Sequence, residues 1–279
     1  MGPGHLVSKF NHLRLNPMLR SLIVFAIAAH PDDIEFGMAG TLLEFKAAGA
    51  EIHMWNLANG SCGTKVRPRE EIILIRQQEA AASAQQAGAI LHPPLVNDLE
   101  IYYEKSLLAH VAAVIREVQP SVLLIPSLQD YMEDHVNTAR LVVTGAFARE
   151  MRNFDPLPAI TPWDGEVAVY HAMPHGGYDP YGRFIHPQRF VDISRVISKK
   201  IELLCQHESQ RGWLQDSQGM DSYLNAMLDF SQRMGELSGR YAYAEGWQRH
   251  NYLGLANNPA FDPMKDHLAS IILEPPPDR

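Results

Sequence analysis

The fold is decided by Ser21-Leu22-Ile23-Val24-Phe25-Ala26-Ile27-Ala28-Ala29-His30-Pro31-Asp32-Asp33. The run before the histidine is apolar apart from its first serine. Its content of Ile, Val and Phe is typical of a strand buried on both faces of a sheet. The following stretch carries Gly37 and Gly40 and predicts a turn that opens a helix over 41–48. One histidine and two aspartates therefore stand where a buried strand ends and a helix begins, and open α/β sheets bind ligands at that edge.

The rest of the chain alternates between strand-like and helix-like segments. This alternation predicts an α/β fold with a mostly parallel sheet covered by helices. No repeat or long linker interrupts it, so a single domain over 1–279 is expected, with its core at about 20–250 and a peripheral leader and tail. Residues 241–247 are assigned to an aromatic tail segment, and 274–279 are expected to be disordered. The further strands are expected over 51–58, 95–98, 121–125 and 166–173. The segment 191–207 is expected to begin as a short strand and to continue as a helix. The other further helices are expected over 68–87, 104–118, 134–151 and 221–237.

Composition excludes several classes of protein. The 279 residues are 46% hydrophobic and carry a formal net charge of −8, which argues against a general binder of nucleic acid or of anionic membranes. No apolar run approaches a membrane span. The basic segment 1–20 and the apolar run after it resemble a signal peptide, but cleavage there would remove the strand that holds His30. With two cysteines in so long a chain, a reducing, cytoplasmic location is expected.

A second polar cluster follows the strand at 121–125. His135 begins the next helix, and at the shared strand edge it can face His30 and Asp33. Two histidines and one carboxylate leave an open position for water, which is the pattern of a catalytic zinc site. A His-Pro-Asp-Asp segment is often only a turn, but its pairing with a second cluster at the same edge favours a site.

Three further aspartates have expected roles in this site. A metal ion would lower the pKa of a bound water, and Asp32 could then accept its proton as a general base. Asp130 and Asp134 could orient the metal ligands from behind.

The same residues resemble the PIG-L/LmbE-like family of metal-dependent de-N-acetylases. The resemblance begins with Ala29 to Asp33 and the two following glycines, and it includes Asp130 to His135. Weaker matches extend it from Leu22 to Trp247, which is most of the chain. These weaker matches are Asn59-Gly60, Arg76 with Glu79, Asp98, Val191-Asp192-Ile193, His207-Glu208-Ser209-Gln210 and Tyr243-Ala244-Glu245-Gly246-Trp247.

The resemblance implies a Rossmann-like three-layer sandwich and hydrolysis of an N-acetyl group on an amino sugar or its conjugate. It implies a divalent metal, usually Zn²⁺ with Fe²⁺ or another ion as alternatives, held by His30, Asp33 and His135, and Asp32 as general base. Arg76 and Asp98 match positions near the substrate in some members. On their own, Arg76 with Glu79 could be an exposed ion pair, Asp98 a turn residue and His207 a cap of its helix.

One position departs from the family pattern. Many members carry a histidine three positions before the last ligand, where it helps to stabilise the oxyanion, and this chain has Met132 there. A thioether cannot donate a hydrogen bond. We expect His175, in the loop after the fifth strand, to supply the donor, with Tyr131 as second choice; a surface-loop histidine is the alternative. Residues 210–219 are interpreted as a flap, and Trp213 in it as a sugar-stacking residue.

Two other functions remain open from the sequence. The departure at Met132 is compatible with a metal-dependent amide or ester hydrolase acting on a non-sugar substrate. A non-catalytic Rossmann-like binding protein is disfavoured, because no glycine-rich fingerprint follows the first strand. The sequence leaves open the substrate, the native metal and the oligomeric state, a homo-oligomer included.

Overall fold

The computed structural model describes residues 22–210 and 223–275 of the chain. The leader at 1–20, residues 211–219 of the expected flap with Trp213, and the tail residues 276–279 lie outside the described residues. The strands are β1 Ile23–Ala28, β2 Glu51–Asn56, β3 Ile90–His92, β4 Val122–Ile125, β5 Ala168–Ala172, β6 Arg189–Asp192, β7 Ala244–Arg249 and β8 Ile272–Leu273. The helices are α1 Asp33–Gly37, α2 Ala39–Ala47, α3 Arg69–Ala87, α4 Lys105–Val118, α5 Glu133–Phe147, α6 Ile197–Leu204, α7 Tyr223–Ser238 and α8 Pro263–His267.

The strands form one sheet in the order β3-β2-β1-β4-β5-β7-β6-β8. Neighbours from β3 to β5 pair in parallel, and the three pairings from β5 to β8 are antiparallel. The prediction of a mostly parallel α/β sheet with a Rossmann-like order is therefore confirmed. The chain leaves β1 towards β2 on one side and reaches β4 on the other, so the switch point of the topology lies at the carboxyl end of β1.

Strand β1 shows why the sheet has helices on both faces. Val24, Ala26 and Ala28 belong to one buried cluster, together with α2 and β2 residues. Phe25 and Ile27 belong to a second cluster with α4 and α5 residues. Because side chains alternate along a strand, apolar residues at every position give two cores and three layers. Within the described residues, no helix has the length and apolar character needed to span a membrane.

Two expected element assignments are wrong. The third strand is Ile90–His92 rather than 95–98, and in the latter segment only an isolated bridge between Ala58 and Val96 forms. The consecutive prolines 93 and 94 cannot donate hydrogen bonds, and they end the strand. Residues 241–247 are also not a tail, because β7 lies inside the sheet between β5 and β6.

The C-terminal segment is likewise tied to the sheet. Strand β8 pairs with β6, and Glu274, expected in a disordered tail, lies 2.9 Å from the Arg189 guanidinium. The sequence pattern did not predict this segment because a two-residue edge strand is too short to show a period.

A buried carboxylate joins β7 to the N-terminus of α2. Glu245 accepts hydrogen bonds from the backbone N–H groups of Gly40 at 2.8 Å and Thr41 at 2.7 Å, and its Oε1 lies 2.6 Å from Nζ of Lys200. A side chain at Gly40 would meet Oε1 of Glu245 at 2.8 Å and Ile193 at 2.6 Å, which explains the glycine. The carboxylate therefore satisfies orphan helix donors and the ammonium of α6 together.

Truncation of this carboxylate is expected to destabilise the fold strongly. Glu245→Ala leaves Lys200 as an unpaired buried charge, so the free energy of unfolding should fall by about 3–5 kcal/mol. Lys200→Met should cost less, because Glu245 keeps its two backbone donors. Urea unfolding followed by circular dichroism measures both changes. The control is Glu202, which forms an exposed ion pair with Lys199. Glu202→Ala should lower the free energy of unfolding by less than about 1 kcal/mol. If Glu245→Ala lowers it no more than Glu202→Ala does, the structural role of Glu245 is contradicted.

Candidate active site

The candidate site is a cavity of about 280 Å³ at the carboxyl ends of the central strands. It opens at the switch point between β1 and β4, where the order of the sheet places a ligand site. Polar groups on the loops after β1 and β4 lie on one side of it, and apolar side chains, among them Phe36, Leu99 and Met173, line the rest.

Three sequence-predicted residues meet in this cavity. His30 follows β1, Asp33 begins α1 and His135 lies in the first turn of α5. Oδ2 of Asp33 lies 3.4 Å from Nδ1 of His30 and 3.2 Å from Nε2 of His135. Their ligand atoms lie within 4.8 Å of one another, and the three residues form a group that could hold a metal ion.

Each of the two histidines also contacts a carboxylate other than that of Asp33. Oδ2 of Asp134 lies 2.9 Å from Nε2 of His30, and Oδ1 of Asp130 lies 3.1 Å from Nδ1 of His135. Asp134 also accepts a hydrogen bond from the backbone N–H of Leu99 at 2.7 Å. A carboxylate that takes one ring N–H fixes the tautomer, so that the other nitrogen is a lone-pair donor towards the shared space.

The donor set fits a divalent cation. Nε2 of His135 is buried, and although Oδ2 of Asp33 lies 3.2 Å away, this nitrogen makes no hydrogen bond with any described residue, as expected of a lone-pair donor directed at a cation. Two imidazoles and one carboxylate also match the nitrogen and oxygen ligands of a catalytic zinc site with an open position.

The electrostatics of the cluster favour added positive charge. Burial lowers the pKa of His30, but hydrogen bonds to Asp134 and Asp33 outweigh it and raise this pKa from 6.5 to about 9. Burial likewise opposes the charge of His135, yet Asp33 and Asp130 raise its pKa well above 6.5. Three carboxylates around two histidines therefore attract either protons or a metal ion.

Asp32 stands beside this cluster in a strained backbone conformation. Its φ is 104°, which is uncommon for a residue other than glycine and is typical of functional positions. The side chain lines the cavity and is only 6% exposed. Burial raises the pKa of Asp32 from 3.8 to about 6, although the nearby Arg76 opposes the shift. A carboxylate with such a pKa can exchange a proton near neutral pH.

Arg76 is placed under Asp32 and not on the surface. It is 2% exposed, its guanidinium donates to the Pro31 carbonyl, and Nη1 lies 3.6 Å from Oδ2 of Asp32. Glu79 instead accepts hydrogen bonds from N and Oγ of Ser209 at 2.8 and 2.7 Å. The alternative of an exposed Arg76–Glu79 pair is therefore wrong, whereas substrate contact by Arg76 stays a prediction.

Asp98 lines the cavity, but its oxygens are engaged by the loop after β2. Oδ1 accepts from the backbone N–H of Gly60 at 2.7 Å, and Oδ2 accepts from that of Cys62 at 2.8 Å. At Gly60, with φ 80°, a Cβ would lie 2.6 Å from Nε of Arg76, so only glycine fits this loop. Asp98 thus shapes the cavity wall through the loop, and its contact with substrate stays a prediction.

Met132, which stands where many family members carry an oxyanion-stabilising histidine, lines the cavity. The two candidate replacements, His175 and Tyr131, line it as well. His175 lies in a 3-10 turn after β5 and packs on Phe36 with ring centroids 4.6 Å apart. Burial lowers the pKa of His175 below 6.5, so its ring is neutral at pH 7. Burial, together with Asp130, raises the pKa of Tyr131 to about 12, so its phenol stays protonated. Both side chains keep an N–H or O–H donor where Met132 offers none.

A buried pair behind the site was not predicted. Nε2 of His207 lies 3.1 Å from Oε1 of Glu35, and both residues are 0% exposed. Ser83 also donates to Glu35. The expectation that the His207 side chain caps its helix is wrong, since the side chain turns to α1 instead. In the sequence, Glu35 lies just after the His-Pro-Asp-Asp segment and His207 begins the His-Glu-Ser-Gln segment. Neither position indicates that two segments so far apart in the chain come into contact.

Comparison with known proteins places this site in a family context. The model of the family described as PIG-L: GlcNAc-PI de-N-acetylase matches residues 25–146, which contain α1 and most of β1 and α5. The chain is 28% identical to the diacetylchitobiose deacetylase of Thermococcus kodakarensis over 246 residues, which are 86% of this chain and 88% of that protein.

Two further relatives extend the comparison. The solved structure of N,N'-diacetylchitobiose deacetylase from Pyrococcus horikoshii, in complex with its inhibitor MPG, superposes with a TM-score of 0.71 at 22% identity and covers 88% of this chain and 90% of its own. This likeness shows a common fold. The 4-oxalmesaconate hydratase of Pseudomonas putida is 26% identical over 194 residues, or 67% of this chain and 72% of that protein.

Proposed function

We propose that the chain is a metal-dependent hydrolase that removes an N-acetyl group from an amino sugar or its conjugate, and that it is a member of the PIG-L/LmbE-like de-N-acetylases, whose family model matches residues 25–146. The deacetylase relative, matched over most of both chains, supports a hydrolase of amide bonds. The observation that carries the proposal is the meeting of His30, Asp33, His135 and Asp32 in one cavity. The native metal is left open between Zn²⁺, Fe²⁺ and another divalent ion.

The metal would be held by His30, Asp33 and His135, with Asp134 and Asp130 orienting the histidines. Bound there, a divalent ion supplies a Lewis acid that polarises a carbonyl and lowers the pKa of water. A closed protein cage is not expected, because three protein ligands leave room for water and substrate.

Asp32 has the position and protonation behaviour of a general base. It accepts a proton from the attacking water while the water oxygen bonds to the amide carbon. It then returns that proton to the leaving nitrogen as the C–N bond breaks, which yields the free amine and acetate. Arg76 fixes the orientation of Asp32 through the Pro31 carbonyl. His175, or else Tyr131, donates a hydrogen bond to the oxyanion that forms.

A second function is favoured by the hydratase relative. A hydratase also needs an activated water and a residue that moves protons, so the same group of side chains could add water across a carbon–carbon double bond. The apolar walls of the cavity and Met132 are equally compatible with a non-sugar amide or ester. Substrate profiling separates these reactions, because only amide or ester cleavage releases a carboxylic acid and an amine or alcohol.

The proposal includes a reducing, cytoplasmic location. Cys62 and Cys205 are both free, as expected where thiols stay reduced.

The activity itself is tested by acetate release from a panel of N-acetylated amino sugars, beside enol-acid substrates of hydratases. We expect acetate from at least one sugar, and Asp32→Asn should lower kcat by about 100 to 10,000-fold while bound metal is retained. The asparagine has nearly the shape of the aspartate but accepts no proton. Water addition without acetate release would establish the hydratase function instead, and full activity in Asp32→Asn would remove the assigned base.

Metal binding is tested by elemental analysis of the purified protein. About one equivalent of a divalent metal per chain is expected from one site with three protein ligands. His135→Ala should lose most of it, since two ligands remain. His267→Ala is the matched control, because this histidine is exposed on α8. A full complement of metal in His135→Ala would exclude the proposed ligand set.

The oxyanion donor is tested by comparing His175→Ala with Tyr131→Phe at equal metal content. Loss of the true donor should lower kcat by about 100 to 1,000-fold with little change in KM, because the bond forms in the transition state. We expect the large effect in His175→Ala. A large effect confined to Tyr131→Phe would transfer the role to the phenol, and unchanged kcat in both would show that neither side chain is the donor.

A further inference from the structure

The active-site cavity has two walls of different chemistry. In the sheet, β2 and β3 lie on one side of β1, whereas β4 and β5 lie on the other. The residues that line the cavity from the side of β2 and β3 include Cys62 and Asp98 in the loops and Arg76 on α3, and we call them the polar wall. At the end of β5 the lining residues are Ala172 and Met173. The two ends of a substrate therefore meet different surroundings.

The apolar side continues from β5 onto α1. Asp33, Phe36 and Gly37 are spaced by three and four positions, so they share one face of this helix, and all three line the cavity. Phe36 stacks on Tyr223 of α7, with ring centroids 5.2 Å apart. An apolar surface thus begins one helical turn from Asp33, a proposed metal ligand. We call this surface the apolar wall, and its members are Phe36, Gly37, Met38, Ala172 and Met173.

Gly37 leaves space in the apolar wall that the fold does not require. Its φ lies outside the left-handed region that favours glycine. Beyond its chain neighbours and its own helix, an added Cβ would have one heavy atom within 4 Å, the Cβ of Ala172 at 4.0 Å. Alanine is more favourable than glycine within a helix. Neither backbone conformation nor packing accounts for this glycine, whereas space kept for a ligand does.

The proposed mechanism fixes which end of an amide faces which wall. Asp32 returns a proton to the leaving nitrogen, so this nitrogen must lie within hydrogen-bond reach of the carboxylate. Oδ2 of Asp32 lies 3.6 Å from Nη1 of Arg76, which belongs to the polar wall. The amine part of the substrate therefore extends towards the polar wall, where sugar hydroxyls find partners. The nitrogen and the carbon chain point away from each other at the acyl carbon, so the chain extends towards the apolar wall.

We propose that the apolar wall binds an acyl chain longer than acetyl, so that the preferred substrates are amino sugars with a short aliphatic N-acyl group such as butyryl. One methyl group cannot cover a wall of five residues from two elements, and each further buried methylene adds favourable transfer free energy. The proposal rests on the proposed hydrolase function and keeps its chemistry. Water bonds to the acyl carbon, its proton passes through Asp32 to the nitrogen, and the C–N bond breaks to give the free amine and a short-chain carboxylate.

The experiment compares N-acetyl, N-propionyl and N-butyryl derivatives of the amino sugar that releases acetate fastest in the panel described above. The measured quantity is the free amine, which all three compounds share as product. We expect kcat/KM to rise by about fourfold for each added methylene, the effect of burying it against an apolar surface. The full chain with its bound metal is used throughout.

Two variants locate the acyl chain at Gly37. Gly37→Val fills the space beside Ala172 and should lower kcat/KM for the butyryl compound to that for the acetyl compound or below. Gly37→Ala adds only the Cβ for which there is room, so it should fold normally and give a smaller preference for butyryl than the unchanged protein. Ala47→Val is the matched control, because this residue is exposed at the end of α2; the order of the three substrates should not change. Metal content measured for each variant shows that its site is intact.

The outcomes separate this proposal from the hydrolase function. Cleavage of the acetyl compound with no gain for propionyl or butyryl would overturn the acyl-chain proposal alone. A preference for butyryl that both Gly37 variants retain in full would overturn it as well, because the chain would then lie elsewhere. Absence of free amine from all three compounds would overturn the hydrolase function, and the acyl-chain proposal with it.

Discussion

The sharp change of direction between His30 and Asp33 is the constraint on which the site depends. The chain leaves a strand that is buried on both faces at Ala28 and enters a helix at Asp33 after only four intervening residues, with Asp32 at a positive φ. Two features support this turn: β1 pairs with parallel neighbours on both sides, and Arg76 donates a hydrogen bond to the Pro31 carbonyl. The strain at Asp32 is thus supported by the rigid centre of the sheet.

The buried charges follow from the same turn. The carboxylates of Asp32 and Asp33 are held beside each other with little solvent, which by itself would favour protonation of one of them. The structure assigns them different environments. The histidines keep the pKa of Asp33 well below its usual range despite burial, whereas burial dominates at Asp32. One carboxylate is therefore suited to hold a cation and the other to exchange a proton, a division that a single amino-acid type obtains from its surroundings alone.

The sequence predicted the parts of this arrangement that depend on local pattern. An apolar run before His30 predicts a buried strand, and a histidine after a second such strand predicts a partner at the same sheet edge. Contacts between segments that are distant in the chain could not be predicted from the sequence. The backbone bonds of Asp98 to the loop after β2, the pair of His207 with Glu35, and the insertion of β7 between β5 and β6 depend on packing that no period in the sequence shows. A glutamate within a strand, as at Glu245, even argues against the correct assignment until its partner Lys200 is known.

Charged side chains are distributed unequally on the two sides of Pro31. On one side, His30 and Asp32 face a space where charge is concentrated and burial strengthens every electrostatic interaction. On the other side, Pro31 lines a separate cavity of about 330 Å³, between α3 and the loops after β2 and β3, whose lining contains no carboxylate, lysine or arginine. Proline has no side-chain donor or acceptor and no N–H, so it separates the two spaces without offering either of them a polar group. A charged residue at this position would place an unpaired charge in the neutral cavity. The composition of the tetrapeptide therefore satisfies both spaces at once, with charge at every position that faces the metal cluster and none at the position that faces away.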